Sequence, residues 1–301
     1  TGLDYSRPLH TAVALGRLPL AARAARRLLR EFAPDVVVGA AGYVCVPVVV
    51  AARTLGLPVV LMEQNAHPGR AVRRLARGAR VVATSYAETA ALLPGARVVH
   101  TGNPVRDQVL DALPAPLPER PRHLLVMGGS QGARRLNDAV AGALRGLLEG
   151  HPDLIVTHAC GERDAPWAVP LRDALPEVVR ERYVVAAFFD DVAARIAAAD
   201  LVLMRAGGSS LAEVSVLGRP MLLVPYPHAG GHQMANALPY VRAGAARLIP
   251  DAELAASRLR REVEALLDDP AAWREMAAAS RRCGRPDAAA RVVELVEAVQ
   301  R

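Results

Sequence analysis

The chain has 301 residues, of which 52% are hydrophobic and 22% charged, and its net charge is +7. This composition excludes a disordered chain, and the densest apolar run, Val44–Ala52, is far shorter than the roughly 20 residues a membrane-spanning helix needs. Three scattered cysteines, Cys45, Cys160 and Cys283, argue against a disulfide frame or a clustered metal site and for a reducing cytosol.

The length predicts two domains of ordinary size. The opening Thr1–Arg7 shows neither the charged-then-apolar pattern of a secretory signal nor an initiator Met, so some upstream sequence is expected to be missing. Residues 1–80 carry 12 arginines against 4 acidic residues, so the positive excess lies in the first quarter of the chain. On a helix predicted over 12–32, Arg23, Arg26, Arg27 and Arg30 follow i, i+3, i+4, i+7 spacing, with Leu20, Ala24, Leu28 and Phe32 elsewhere around the axis. A second basic group, Arg70, Arg73, Arg74, Arg77 and Arg80, follows. Such clusters bind anionic lipid head groups, pyrophosphate or nucleic acid, and equally serve as plain solvated helix faces. Few aromatic residues lie among them, which speaks against single-stranded nucleic acid.

Short apolar runs at 35–39, 58–62, 80–83 and 97–100 are predicted strands, separated by helical or loop stretches. The proline-rich tract Leu113–Pro121 reads as an extended connection near a domain boundary. A second series of strands follows at 122–127, 154–158, 183–186, 201–204, 221–224 and 246–249. Their apolarity is continuous rather than alternating, which means burial on both faces and hence parallel sheets covered by helices, the doubly wound α/β class. Ligands of such sheets bind beyond the carboxyl ends of the strands.

Glycine turns fall at those ends. Gly128–Gly132 follows the first strand of the second series and precedes a helix, so its backbone N–H groups and the Ser130 hydroxyl suit a phosphate. It matches neither the G-x-G-x-x-G dinucleotide fingerprint nor a P-loop, and the chain contains no lysine, which weakens a hydride-transfer enzyme and a P-loop NTPase alike. Met204–Glu213 joins a strand end to a turn at Gly207 and Gly208, to Ser209 or Ser210 as helix cap, and to Glu213 within the helix, where a carboxylate can accept from a pair of ribose hydroxyls. Taken alone, the same segment also fits an ordinary capped turn with a first-turn acid. The loop predicted over Pro225–Asn236 offers His228, His232, Gln233 and Asn236 as neutral donors and acceptors suited to a hydroxyl-rich ligand, and makes a poor zinc site. No G-x-S-x-G elbow supports serine hydrolysis.

The chain resembles the MurG family of bacterial glycosyltransferases. The carrying segments are Gly42-Tyr43-Val44, Glu63-Gln64-Asn65, Gly102–Arg106, Gly128–Ala133 with Asn137, Phe189-Asp190-Asp191, Arg205–Glu213, and His232-Gln233 with Asn236, in family order over nearly the whole chain. The resemblance implies a GT-B fold: two doubly wound Rossmann-like domains with a cleft between them. Residues 1–104 plus 286–301 are expected to form an N-terminal, acceptor- and membrane-side domain, and 105–285 the domain that binds UDP-GlcNAc. The implied reaction moves N-acetylglucosamine from UDP-GlcNAc to lipid I, the undecaprenyl-linked muramyl-pentapeptide, with inversion, giving the peptidoglycan precursor lipid II.

By that resemblance Glu213 holds the donor ribose and Ser130 a phosphate, while Arg106 and the Phe189 backbone lie beside the uracil and Gly208 belongs to the nucleotide loop. Gln233 and His232 reach the donor sugar, with Asn236 and Arg205 supporting their loop. Tyr43, Glu63 and Asn65 match the N-terminal wall on the acceptor side, and Asn65 is also counted with the UDP-GlcNAc contacts. No cofactor, metal or nucleic acid is implied. The implied location is peripheral, on the cytoplasmic face of the plasma membrane, with the Val13, Leu20 and arginine face of the 12–32 helix on anionic lipid. Two departures stand out. The family's opening glycine-rich loop ending in His is absent, so the catalytic base is unassigned with Glu63 as the remaining candidate, and Ala229-Gly230-Gly231 replaces a stretch that commonly holds an acid. Another GT-B enzyme, such as a glycolipid synthase or a UDP-GlcNAc epimerase, and an inactive UDP-sugar-binding fragment are the alternatives.

Overall fold

A computed structural model describes residues 18–113, 116–129, 132–227 and 231–300. Val13 and the start of the predicted 12–32 helix, part of the proline-rich tract, Ser130, His228 and Ala229-Gly230 lie outside the described residues. The chain divides into two compact units, Thr1–Pro104 with Asp287–Arg301, and Val105–Pro286. All ten predicted strands form: Val81–Thr84, Leu201–Met204 and Met221–Leu223 are buried at every position, whereas Val38, Ile155 and Val184 are exposed on their strands.

In the first unit, α1 (Leu18–Phe32) is followed by β1 (Val37–Gly39), α2 (Cys45–Thr54), β2 (Val59–Glu63), α3 (Arg70–Leu75), β3 (Val81–Thr84) and β4 (Val98–His100). The strands run parallel in the order β1-β2-β3-β4. Val59, Leu61 and Val82 of the sheet and Val49 and Ala52 of α2 form its core. The C-terminal helix Ala288–Gln300 returns to this unit, where Gln300 Nε2 donates to Asp35 Oδ2 at 3.1 Å. On α1 only Ala25 is buried, while Leu20, Leu28 and Phe32 are 65%, 64% and 81% exposed. These three, with Ala24, recur every fourth residue and form an outward ridge beside the exposed Arg23, Arg27 and Arg30. Arg70, Arg73 and Arg74 project from α3, with Arg77 and Arg80 just beyond it, all exposed.

The second unit contains α4 (Asp107–Asp111), β5 (His123–Met127), α5 (Arg134–Gly150) and β6 (Ile155–Ala159). Two four-residue helices, α6 (Ala165–Ala168) and α7 (Glu177–Arg180), lead to β7 (Tyr183–Ala186) and α8 (Val192–Ala198). Then come β8 (Leu201–Met204), α9 (Gly208–Val216), β9 (Met221–Leu223), α10 (His232–Arg242), β10 (Ala246–Leu248), α11 (Ala256–Leu267) and α12 (Pro270–Cys283). The six strands are parallel in the order β10-β9-β8-β5-β6-β7. The chain therefore builds outward from β5 to β7 and returns to lay β8 on the other side of β5. That reversal opens a crevice at the carboxyl ends of β5 and β8. The two strands are in register with Met127 opposite Met204, so both glycine turns leave the sheet side by side. Leu136, Leu144 and Leu148 of α5 cover Leu124 and Val126 of β5 in the main core.

One predicted boundary is corrected. The loop expected to run through Asn236 ends at Gly231, whose φ of +75° turns the chain into α10, so His232, Gln233 and Asn236 sit in the first turns of a helix. Helix geometry places Gln233 and Asn236 one turn apart on the same face, toward β8.

Candidate functional site

A cavity of about 850 Å³ lies at the reversal point of the second sheet. Its floor is built by backbone. Gly129 and Gly132 adopt φ of +84° and +74°, and a Cβ on Gly132 would stand 2.5 Å from the Cys160 carbonyl oxygen. A Cβ on Gly128 would stand 2.8 Å from the Ala133 nitrogen, so this turn is confined to glycine by packing as well as by torsion. The two helices that leave the cavity, α5 and α9, start at Ala133 and Gly207, neither of which supplies a side-chain cap. The expected capping by Ser209 or Ser210 does not occur: both residues lie inside α9, and Ser210 lines the cavity instead. Helix N-termini without a capping side chain present N–H groups and positive dipole ends, which suits an anion.

Five arginines line the cavity, and four are matched to carboxylates. Arg106 donates from Nε to Glu213 Oε1 at 2.7 Å and from Nη2 to Oε2 at 3.0 Å, which raises the guanidinium pKa through the hydrogen-bonded carboxylate. Arg205 Nη1 donates to Asp251 Oδ1 at 2.6 Å and to the Val224 carbonyl at 3.0 Å, and Arg135 Nε approaches Asp251 Oδ2 at 3.4 Å. Arg134 Nε bonds Asp138 at 3.0 Å, and its guanidinium lies over the Trp167 ring. The fifth is Arg163.

Side chains from α10 tie the strand ends together. Gln233 Oε1 accepts from the Tyr226 nitrogen at 2.8 Å and from the Ala206 nitrogen at 3.2 Å, which leaves its amide N–H groups to donate into the cavity it lines. Asn236, buried behind it, donates from Nδ2 to the Ala206 carbonyl at 3.3 Å. Arg205 stacks on Tyr226, its guanidinium carbon 5.5 Å from the ring centre.

Beneath the glycine turn runs a buried polar chain. Asn137 Nδ2 donates to the Cys160 carbonyl and to Asp164 Oδ2, each at 2.7 Å, so its Oδ1 is the acceptor for His158 Nε2 at 2.9 Å. His158 Nδ1 then accepts from the Tyr183 hydroxyl at 2.8 Å. Burial pushes the imidazole down to about 4, against the opposing pull of Asp164, and pushes the Tyr183 hydroxyl up. A neutral histidine with one donor and one acceptor nitrogen fits this chain.

The remaining candidates are in the first unit. Glu63, at the end of β2 and 2% exposed, accepts from the Asn65 nitrogen at 2.9 Å, Asn65 Nδ2 at 3.1 Å and the Gly69 nitrogen at 2.9 Å. Both its oxygens thus fold the 64–69 loop back on the strand. Tyr43 sits half-buried in the turn before α2.

Of the sequence-predicted residues, Arg106, Phe189, Arg205, Glu213 and Gln233 line the one cavity, and Asn236 supports it from behind. Gly208 and His232, each the first residue of its helix, are not among its lining, and Tyr43, Glu63 and Asn65 belong to the other unit. Arg195 covers the Phe189 ring at 3.8 Å. Arg134, Arg135, Arg163, Phe188, Tyr226 and Asp251 also line it and were not anticipated. Their available signal was position, since each follows a strand of the second sheet within a few residues. Among the described residues no group of three or more His, Cys, Asp or Glu is placed to hold a metal, and no helix is long and apolar enough to cross a membrane.

Residues 123–292 match the glycosyltransferase family 28 C-terminal domain, and residues 12–84 match the glycosyltransferase family 28 N-terminal domain. The chain is 40% identical over 297 residues to a UDP-N-acetylglucosamine–N-acetylmuramyl-(pentapeptide) pyrophosphoryl-undecaprenol N-acetylglucosamine transferase of Sinorhizobium fredii, covering 97% of this chain and 79% of that protein. A protein of the same name from Methylobacterium is 42% identical over 299 residues, covering 96% and 79%. Among solved structures, MurG of Acinetobacter baumannii superposes with a TM-score of 0.77 at 30% identity, over 93% of this chain and 80% of that one. UDP-GlcNAc 2-epimerase from Neisseria meningitidis, solved with UDP-GlcNAc bound, shares the fold at 15% identity, with a TM-score of 0.67 over 94% and 82%. Two parallel-sheet α/β units in this order are the GT-B arrangement of domains, and the chain belongs to glycosyltransferase family 28 and, within it, to the MurG family.

Proposed function

We propose that this protein is an N-acetylglucosaminyltransferase that moves GlcNAc from UDP-GlcNAc to lipid I, forming lipid II. The observation that carries the reading is the cavity at the reversal point of the second sheet. There a glycine turn and two helix starts without side-chain caps meet a fixed carboxylate, Glu213, and an amide, Gln233. Those groups divide by chemistry among the parts of a nucleotide sugar. The backbone N–H groups of the glycine turn and of α5 suit the diphosphate. Glu213 suits the vicinal hydroxyls of the ribose, the Phe189 backbone the uracil edge, and Gln233 the sugar hydroxyls.

The reaction is a direct displacement. The 4-hydroxyl of the acceptor attacks C1 of GlcNAc, its proton passes to a base, and the C1–O bond breaks with its electron pair on UDP, inverting the anomeric centre. Negative charge grows on the diphosphate as that bond breaks, so fixed N–H dipoles aimed there lower the barrier without having to reorganise. Glu63, with both oxygens engaged by Asn65 and Gly69, serves the loop of the acceptor-side unit rather than proton transfer. Tyr43 and Asn65 belong to that same side.

The acceptor's lipid tail stays in the bilayer, so the enzyme works at the membrane surface. The outward ridge of Leu20, Leu28 and Phe32, flanked by the arginines of α1, suits docking on the anionic cytoplasmic leaflet. This is a peripheral location.

The test is product analysis of labelled UDP-GlcNAc incubated with and without lipid I. Label transferred to lipid only when lipid I is present supports the proposal; a change in the nucleotide sugar without lipid would make the protein an epimerase.

A further inference from the structure

We infer that Arg163 contacts the diphosphate of the nucleotide donor and strengthens that contact as the diphosphate leaves; this rests on the donor reading above. Arg106, Arg134, Arg135 and Arg205 each have a carboxylate within 3.4 Å. Arg163 is exposed, lines the same cavity, and has neither an ion pair nor a hydrogen bond among the described residues. A guanidinium without an acid partner at a cavity wall retains its full charge and its donors for an anion.

Its position follows from the glycine turn. The Cβ that Gly132 lacks would lie 3.3 Å from the Gly161 Cα, so the loop after β6 is packed directly against the turn that faces the ligand. Arg163 is two residues beyond that contact. The loop is also held rigidly, because Asn137 grips it on both sides of Arg163, through the Cys160 carbonyl and through Asp164 Oδ2, each at 2.7 Å. His158 and Tyr183 back Asn137. The Asp164 nitrogen closes the loop onto the Gly161 carbonyl at 3.2 Å. A preorganised charge of this kind costs little to use, since the backbone carrying it does not need to be ordered by the ligand.

The experiment measures binding of UDP and of uridine by calorimetry to the wild type, Arg163→Gln and Arg163→Lys, with thermal melting as a folding control. Arg163→Gln is expected to bind UDP about tenfold more weakly, the scale of one lost charge-assisted hydrogen bond, with uridine affinity unchanged within about twofold. Arg163→Lys is expected to recover part of the UDP affinity. Unchanged UDP affinity in Arg163→Gln, or an equal loss for uridine, overturns the inference while the donor site stands. A wild type that binds no UDP overturns the donor reading, and the inference with it.

Discussion

Arg106 and Glu213, 107 residues apart in sequence, meet in a two-point fork at 2.7 and 3.0 Å. Each carboxylate oxygen spends one acceptor site on the guanidinium and keeps another, so Glu213 is held in one orientation while still able to accept from two neighbouring hydroxyls. The arginine expected beside the uracil is thus also the group that aims the carboxylate expected at the ribose.

Glu213→Ala is expected to weaken UDP binding by about 1–3 kcal/mol, the loss of charge-assisted hydrogen bonds in a partly buried site. Folding stability is expected to change by less than about 1 kcal/mol, because the Arg106 side chain is 51% exposed and screened by water. In a double-mutant cycle with Arg106→Ala, the two affinity losses are expected to be non-additive. Calorimetry with UDP and denaturant unfolding read the two effects separately, and additive losses would mean that Arg106 does not act through Glu213.

Asp251, 7% exposed in its side chain, pairs with the 11% exposed Arg205 in a place where water is scarce and with the 54% exposed Arg135 at its edge. Asp251→Ala is expected to destabilise the fold by about 3–5 kcal/mol, since it strands a buried guanidinium. Replacing Arg205 and Asp251 together by leucine is expected to cost less than Asp251→Ala alone. Urea unfolding of the three proteins decides.

The His158 chain makes stability depend on pH. The folded imidazole titrates near 4, below its ordinary 6.5, so the unfolded chain takes up a proton first as pH falls. The contribution is therefore complete above pH 6.5 and is lost on acidification from 6.5 to 4, by about 3 kcal/mol for a shift of this size. In His158→Gln that part of the pH dependence is expected to vanish, although the variant is less stable at pH 7. Chemical unfolding of both proteins at pH 7 and 4.5 gives the difference; an identical loss in the variant would assign the acid sensitivity to other groups.

At the membrane, charge and ridge make separable contributions. Arg26→Glu with Arg30→Glu is expected to reduce co-sedimentation with anionic vesicles, at about 1 kcal/mol for each arginine near the surface, and to leave neutral vesicles unaffected. Leu28→Ser with Phe32→Ser is expected to reduce binding to both kinds. Wild-type protein that sediments equally with anionic and neutral vesicles would remove the electrostatic part of the docking proposal.

The strands were legible because their signal is local. Runs such as Leu201–Met204 are apolar at every position and bounded by turn residues, and a strand buried on both faces needs nothing more. Gly128–Gly132 and Gly207 were legible for a similar reason, since a turn at the end of such a strand announces a backbone site. Helix starts were read less well. Gly207 rather than a serine opens α9, and His232 opens a helix where hydroxyl-binding side chains had been read as loop. In both cases the segment instead places Ser210 and Gln233 at the cavity, and Gln233 bridges the Ala206 and Tyr226 nitrogens.

By itself the sequence determined the α/β class, the ten strands, the two glycine turns and the family. These are properties of contiguous residues and of segments that keep their order. Only the tertiary structure decided how the polar groups pair. It matched Arg106 with Glu213, placed Asp251 between Arg135 and Arg205, committed Glu63 to its own loop, and left Arg163 without an acid among the described residues. A charged side chain carries no local mark of its partner. Its role is set by whichever oxygen or nitrogen the fold brings within about 3 Å, where hydrogen bonding and desolvation become strong enough to choose.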